Sequence, residues 1–319
     1  MTAHPLSPPA APKTPPAASR RRGRLGPGLL PYGLLTPATL VLVLVLVYPL
    51  FRLVMLSLEK FGLRQQFGAP PDFVGLENYR RVLTDPQFWT VLARTVVFCA
   101  ETVVLTMVLG MLVALLTQRV GRGLRLGLIT SLLLAWAMPP LSSTIVWQWM
   151  FDTQYGLVNW LLTTLGVGDY NAHSWLSNPL SFYFVATLVV VWMGIPFVAF
   201  TLYAGLTQVP QDLIEAAQLD GANGFQRFRH VVVPMLKPIL LILTALSVLW
   251  NFRVFTQIYV LQKAGGVSRD TNVLGIYAYR ISIGESRFDV GAALAVLMVL
   301  ILLLFSVVYL RQMTKTEDL

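Results

Sequence analysis

Charged residues are scarce in this chain. They make up 12% of its 319 residues, whereas 55% of the residues are hydrophobic. Soluble globular domains carry roughly 25% charged residues, so this composition excludes a soluble domain and indicates a membrane protein. The net charge of +9 favours basic cytoplasmic loops over nucleic-acid binding, because membrane proteins concentrate Lys and Arg on the cytoplasmic side.

Side chains for catalysis and metal binding are equally few. Cys99 is the only cysteine and lies within an apolar run, so no intramolecular disulfide can form. The histidines His4, His173 and His230 are scattered along the chain and predict no metal site. The sequence has no G-x-x-x-x-G-K-[ST] loop to cradle nucleotide phosphates. We therefore expect a chain that is not an enzyme and binds no cofactor itself.

Long runs without charge are abundant, and one bilayer crossing needs roughly 20 apolar helical residues. Six runs meet this need, at about residues 37–56, 89–116, 126–149, 181–206, 238–261 and 290–310. They predict an all-α fold, a polytopic transmembrane bundle of six spans within residues 31–319. Residues 1–30 are rich in proline and alanine and predict a disordered tail.

The distribution of Lys and Arg predicts the orientation of the bundle. If the N-terminus is cytoplasmic, the basic residues of the tail and of the inner segments together outnumber the eight on the opposite side (Lys60, Arg64, Arg80, Arg81, Lys263, Arg269, Arg280 and Arg287), as the positive-inside rule predicts. The inner residues are Arg119, Arg122, Arg125, Arg227, Arg229, Lys237, Arg311 and Lys315, together with those of the tail. We predict that both termini are cytoplasmic.

Paired prolines interrupt the third predicted span at Pro139 and Pro140. Proline removes a backbone donor and kinks a helix. In a bilayer the freed carbonyls need a neighbouring helix or a water-lined cavity. A single proline is as consistent with a static bend that improves packing, but the pair at mid-span favours a position on a translocation path.

The most informative segment is residues 210–237, between the fourth and fifth spans. Pro210 and Asp212 predict a helix start, and Gly221 permits a break after this short helix. A second amphipathic helix is predicted to follow, with an apolar stripe of Phe225, Phe228 and Val232. Physical chemistry alone leaves two interpretations open, a docking device or a helix lying on the lipid surface.

A resemblance to a known family favours docking. Glu215-Ala216-Ala217, Asp220-Gly221-Ala222, Phe228, Val231 and Pro234 resemble, at their spacing, the EAA loop of permease subunits of binding-protein-dependent ABC importers. Residues 73–79, 156–159, 252–255 and 259–261 are similar to the carbohydrate-uptake branch of that family, of the maltose and glycerol-phosphate type. The residues of this chain differ from those usual in the branch at Thr256 and at residues 262–266. These differences leave the identity of the sugar open, but not the class of transporter.

The resemblance implies a type I ABC importer permease fold in a prokaryotic cytoplasmic membrane. It implies three partners: a second homologous permease that forms a heterodimer with this chain, a dimer of ATPase subunits that holds ATP and Mg²⁺, and an external solute-binding protein. ATP-driven closure of the ATPase would rock the spans from inward-open to outward-open. The coupling-loop residues that it implies are Glu215, Ala216, Ala217, Asp220, Gly221, Phe228 and Pro234.

A sugar, here a di- or oligosaccharide, is bound by aromatic stacking and by hydrogen bonds from neutral polar groups. The inward candidates of this kind are Trp147, Trp192, Trp250, Asn251, Phe255 and Gln257.

Other functions remain open at this point. Glycerol phosphate or another polyol would need a cationic contact, for which Arg253 is the obvious candidate. An ion-coupled secondary transporter or a membrane enzyme would need ionisable groups within the spans. Glu101 is such a group, with Arg94 seven residues earlier on a similar face, and we expect a structural pairing across helices rather than a proton relay.

Overall fold

A computed structural model describes residues 30–317, which are mainly helical. The tail predicted for residues 1–30 lies outside the described residues except for its last position. The described segment up to Phe51 and the body from Arg52 form two separate units. In the first unit, α1 covers Leu30–Leu42 and a π-helical turn covers Val43–Val47.

The remaining helices follow one another along the chain with short connections. A two-residue antiparallel pair, β1 (Glu59–Lys60) and β2 (Asp72–Phe73), flanks the short helix α3. The helices are α2 (Tyr48–Leu58), α3 (Leu63–Gln66), α4 (Glu77–Thr84), α5 (Pro86–Arg119), α6 (Arg122–Ala137), α7 (Pro140–Met150), α8 (Leu157–Thr164), α9 (Pro179–Leu206), α10 (Gln211–Leu219), α11 (Gly224–Arg227), α12 (Val233–Asn251), α13 (Thr256–Lys263), α14 (Ser268–Thr271), α15 (Leu274–Tyr279) and α16 (Phe288–Glu317).

Five stretches of the described residues are long and apolar enough to cross a membrane, and the bent pair α6 and α7 makes a sixth if it is counted as one span. Each of the five contains one of the predicted runs, so the prediction of an all-helical, multi-span protein is confirmed. The five are Leu34–Leu58, Pro86–Arg119, Pro179–Leu206, Gly224–Lys263 and Phe288–Met313.

The third predicted span, residues 126–149, is not one continuous helix. α6 and α7 meet at an angle of 102°. Met138 and Pro139 both have extended backbone, with ψ of 129° and 139°. A residue that precedes a proline is disfavoured in the helical conformation, and here two such residues are adjacent. The paired prolines therefore break the helix rather than kink it.

The fifth predicted span, residues 238–261, is also interrupted. α12 ends at Asn251 and α13 begins at Thr256, so residues 252–255 are not helical.

The second short helix predicted for the loop is not a separate element. Helical backbone continues from Gly224 through a π-helical turn at Phe228–Val232 into α12. In this turn Val233 donates to the Phe228 carbonyl, and the shifted hydrogen bonding accommodates Pro234, which has no donor, without ending the helix.

The centre of the body is the close pairing of α5 with α9. A Cβ atom on Gly110 would lie 2.5 Å from Cγ1 of Val198, and one on Gly194 would lie 2.8 Å from Cγ2 of Thr106. Small residues let transmembrane helices approach closely in this way. Buried side chains on both helices, Phe98 and Phe182 among them, fill the core around this contact.

The two ends of this pair carry different segments. Gln118 near the end of α5 donates to the Leu206 carbonyl at the end of α9, at 3.3 Å, so the loop of residues 207–237 leaves from here. We call this the loop end. α5 contains 34 residues, about 51 Å of helix, so its first turn next to Asp85 lies at the opposite end, which we call the distal end.

Candidate functional site

The loop between α9 and α12 contains a glycine turn that ends α10. The amide of Gly221 donates to the Gln218 carbonyl at 3.1 Å, and the amide of Ala222 donates to the Ala217 carbonyl at 3.0 Å. This pair of bonds satisfies the last carbonyls of a helix and requires a left-handed residue. Gly221 supplies it with a φ of +83°, so the turn lies at the predicted glycine.

The second half of the loop is fixed by side chains. The amide of Gln226 donates to Oδ1 of Asn223 at 2.9 Å, and the amide of Asn223 donates to Oε1 of Gln226 at 2.8 Å. This reciprocal cap starts α11. Arg227 then donates to Oε1 of Gln218 on α10 at 2.7 Å. The two helices are therefore held in one arrangement on either side of Gly221.

The outer surface of the loop is exposed and partly apolar. Leu219 is 89% exposed and Phe225 is 69% exposed, on the two sides of the turn. Exposed apolar side chains that cluster on a surface are typical of a protein contact. Four of the predicted coupling residues are exposed on the same segment: Glu215, Ala216, Asp220 and Gly221.

The remaining predicted coupling residues have other surroundings. Ala217 is half-buried and its carbonyl accepts the bond that closes the turn. Phe228 packs against the core cluster that contains Leu202 and Leu236, so it anchors the loop to the bundle. Pro234 is exposed, on the first turn of α12.

The second half of the loop, from Gly224, is joined to the interior of the bundle by continuous helical backbone. Helical backbone runs from Gly224 to Asn251, about 40 Å at a rise of 1.5 Å per residue. It ends at the interruption of residues 252–255 in the fifth predicted span. We call residues 224–251 the rod, because this continuous helix can carry a displacement of the loop to the interruption.

Three of the six predicted substrate-path residues lie together on α7, α9 and α13. The rings of Trp147 and Trp192 are edge to face with centroids 6.0 Å apart. Gln257 donates to the sulfur of Met193, the residue after Trp192, at 3.5 Å. The structure thus brings the two tryptophan rings together, with Gln257 bonded to the next residue along α9; aromatic rings and amides are groups that bind sugars.

The other three candidates are arranged differently. The Trp250 ring packs on Phe197 with centroids 5.1 Å apart, and Trp250 remains 49% exposed. Asn251 is the last residue of α12, and its carbonyl accepts from the Val254 amide. Phe255 closes the interruption and stacks on Tyr259 with centroids 5.5 Å apart.

Sequence reasoning missed the aromatic neighbours of Phe255. The Tyr279 ring meets Phe255 and Tyr259 edge-on, at 5.4 and 5.7 Å. A cavity of 330 Å³ adjoins these tyrosines, with Lys263 and Arg280 in its wall. Tyr259 belongs to a segment that resembles the family, but nothing in the sequence places Tyr279, some twenty residues further on, beside it.

Glu101 makes its contact across two helices. Oγ1 of Thr187 on α9 donates to Oε1 of Glu101 on α5 at 2.6 Å. Arg94 instead donates to the Arg269 carbonyl at 3.0 Å, and within residues 30–317 no ion pair joins it to Glu101. Across the same residues, no three His, Cys, Asp or Glu side chains are gathered so as to hold a metal ion.

Comparison with known protein families gives one match over most of the bundle. The matching family is described as the binding-protein-dependent transport system inner membrane component, and it covers residues 106–315. This range begins within α5, includes the whole loop and ends within α16.

Two relatives match over nearly the whole chain. The diacetylchitobiose uptake system permease protein DasB of Streptomyces coelicolor is 43% identical over 300 residues, which are 94% of this chain and 91% of the relative. The trehalose/maltose transport system permease protein MalF of Thermococcus litoralis is 36% identical over 294 residues, 91% of this chain and 94% of the relative.

A solved structure shares the fold. It is a chain of a bacterial ABC transporter involved in the import of the acidic polysaccharide alginate, with a TM-score of 0.77 and 19% identity. The match covers 90% of this chain and 95% of that chain. The architecture is therefore that of an ABC importer permease of type I.

Proposed function

This chain belongs to the binding-protein-dependent transport system inner membrane component family, and from that membership we propose that it translocates a disaccharide in an ATP-driven importer. It is a multi-pass membrane protein and a carbohydrate-uptake ABC permease. The observation that carries the mechanism is the exposed glycine turn of the loop, which is followed two residues later by the continuous helical backbone of residues 224–251.

The substrate class is supported by the relatives and by the interior aromatic rings. Both relatives are named for disaccharide uptake. Trp147, Trp192 and Gln257 offer two ring faces and one amide, which suits a neutral sugar. The polyol phosphate alternative depended on Arg253, whose Nε donates to the Leu249 carbonyl at 3.0 Å, so this part of the guanidinium already has a partner.

The loop contacts an ATPase subunit through Glu215, Ala216, Asp220 and Gly221. Burial of Leu219 and Phe225 against that subunit would remove two large apolar side chains from water, which stabilises a contact by about 2 kcal/mol for each fully covered side chain. ATP and Mg²⁺ bind to the ATPase dimer. A second, homologous permease completes the pathway, and an external binding protein delivers the sugar.

The loop end is the cytoplasmic end in this proposal. Arg119 is the last residue of α5 and Arg122 and Arg125 lie in the first turn of α6, at this end, and Arg227 and Arg229 lie on the loop itself. α16 also runs towards this end, because Tyr309 near its C-terminus donates to the Leu241 carbonyl on α12. This arrangement agrees with the positive-inside rule. Both termini are then cytoplasmic.

In this proposal, the movement of the rod (residues 224–251) produces alternating access. When the ATPase dimer closes on ATP, the loop moves with it, and α12 transmits the movement to the interruption at residues 252–255. There the unwound backbone and the aromatic rings of Phe255 and Trp250 change position relative to α7 and α9. The sugar site is thereby opened first to one side and then to the other.

The experiment that tests this function begins with purification of the importer from native membranes in mild detergent, followed by reconstitution into liposomes. We expect an ATPase and a second permease to co-purify, and ATP hydrolysis and sugar uptake to rise with the loaded binding protein. Purification of the chain alone, with solute uptake driven by an ion gradient and no ATP, would overturn the proposal.

The decisive variant is Gly221→Asp, with Gly221→Asn as the matched control. Asp and Asn have nearly the same shape and both tolerate a positive φ better than other residues. No atom lies within 4 Å of a Cβ at this position, so neither should clash within the chain. We expect Asp to abolish uptake without preventing membrane insertion, because it adds a charge to the docking surface, and Asn to retain more uptake. Uptake near the unmutated level with Asp would contradict the coupling role.

A further inference from the structure

A cleft of 480 Å³ opens at the distal end, away from the loop. Its wall is built from the end of α4, the start of α5, the segment from α14 through the π-helical turn Arg280–Gly284, and the start of α16. Four arginines line it, against two carboxylates, those of Asp85 and Glu285. The arginines are Arg81, Arg269, Arg280 and Arg287.

Both carboxylate oxygens of Asp85 accept hydrogen bonds from within the chain. Its Oδ1 accepts from the Gln87 amide at 2.9 Å and caps α5, and its Oδ2 accepts from the Tyr277 hydroxyl at 2.7 Å. Burial and this hydrogen bond to Asp85 raise the pKa of Tyr277, so the hydroxyl remains a neutral donor. The carboxylate is therefore a structural part of the wall.

The other acidic groups are each paired with one arginine. Glu285 lies 3.6 Å from Arg287, and Glu77, just outside the cleft, lies 3.3 Å from Arg81. Arg269 and Arg280 have no acidic partner among residues 30–317. The Arg269 backbone is nevertheless held in place, because its carbonyl accepts from Arg94 and from Gln87.

The cleft thus presents two guanidinium groups whose charge the chain itself does not neutralise. A guanidinium offers a planar set of donors that matches a carboxylate in two parallel hydrogen bonds. The cleft is several times larger than one carboxylate needs, and its polar wall, with Gln87 and Asn272, suits a protruding polypeptide segment. Arg280 also lines the aromatic cavity next to Tyr279, so an occupant of the cleft would lie beside the sugar pathway.

We propose that this cleft is the docking site for an acidic loop of the solute-binding protein, whose carboxylates pair with Arg269 and Arg280. The inference rests on the proposed function, which places the distal end outside the cytoplasm and makes a binding protein the partner that arrives there. Charge complementarity of this kind steers the encounter and fixes the orientation of the partner. The loaded binding protein would then open directly above the aromatic cavity.

The test uses the complete importer in nanodiscs of phosphatidylcholine, with the concentration of loaded binding protein that half-maximally stimulates ATP hydrolysis as the readout. The variant Arg269→Glu changes an arginine that lines the cleft but not the aromatic cavity, and it should raise this concentration several-fold. Its ATP hydrolysis without binding protein should be unchanged. Raising the salt concentration from about 50 to about 300 mM should raise the half-maximal concentration of binding protein for the wild type but not for the variant.

Arg80→Glu is the matched control, since Arg80 is exposed on α4 but lies outside the cleft. It should change the half-maximal concentration less than about twofold. Equal stimulation of the Arg269→Glu variant and the wild type would overturn the docking site while leaving the proposed function intact. Absence of stimulation in the wild type would instead overturn the proposed function. An effect of the variant that appears only in nanodiscs containing anionic lipid would assign the cleft to lipid and overturn the proposal.

Discussion

A single hydroxyl donates to one oxygen of the half-buried Glu101 carboxylate. Thr187 Oγ1 and Glu101 Oε1 are 2.6 Å apart, on α9 and α5. An acidic group within a span costs free energy unless it is hydrogen-bonded, and Thr187 is buried. At the scale of residues, this contact explains how Glu101 can be structural, without a role in proton movement.

Thr187→Val should therefore lower stability, because valine keeps the shape and removes the donor. The expected loss is about 1–2 kcal/mol of unfolding free energy, measured as a lower midpoint of thermal unfolding in detergent. Thr187→Ser keeps the hydroxyl and serves as the control. Glu101→Gln should preserve uptake; a stable Glu101→Gln protein that has lost uptake would contradict the structural role and favour a relay.

At the scale of elements, the loop and the fifth span act together because helical backbone joins them. The π-helical turn at Phe228–Val232 keeps this backbone continuous past Pro234. Phe228 and Val232 also pack against the core cluster around Leu202. The proposed coupling therefore requires that a movement at Gly221 is carried along α12 and is not absorbed by bending between Gly224 and Asn251.

Replacement of Val231 and Val232 together by glycine should uncouple ATP hydrolysis from transport. Each glycine costs about 1 kcal/mol of helix stability relative to alanine and lets the rod bend. We expect uptake to fall several-fold while the complex still assembles and hydrolyses ATP. The same positions changed to alanine remove the same side chains but keep the helix, and they should transport clearly better. Equal uptake by the glycine and alanine variants would argue against a rigid rod.

At the scale of the whole molecule, the close contact of α5 and α9 forms the centre of the body, and α6, α12 and α13 pack against it. Gly110 and Gly194 face side chains of the opposite helix, and a Cβ on either would lie less than 3.0 Å from an atom there. Such contacts have no room for a larger residue. The cavities and the rod are positioned relative to this pair.

Gly110→Val should separate α5 from α9 and destabilise the body by about 1–3 kcal/mol or more. The measurement is the yield of monodisperse protein and its thermal midpoint in detergent. Gly127→Val on α6 is the control, because no atom lies within 4 Å of a Cβ there although the change in helix propensity is the same. Similar behaviour of the two variants would show that propensity, and not the helix contact, causes the effect.

The sequence by itself determined which segments are membrane helices and where the glycine turn of the loop lies. Both depend on local properties: the length of an apolar run, the lack of a donor at Pro210 and the freedom of Gly221 to take a positive φ. The paired prolines were also visible, although the sequence predicted a kink where the structure has a break of 102°.

Only the tertiary structure decided which side chains meet. Thr187 as the partner of Glu101, Tyr279 beside Phe255, and the four arginines of the distal cleft come from segments far apart in the chain. The hydropathy of a segment predicts that it forms a helix in the membrane. It does not predict how that helix is rotated about its axis or which other helix it packs against. Those are set by close packing at positions such as Gly110 and Val198, because the approach of two helices depends on the side chains of both.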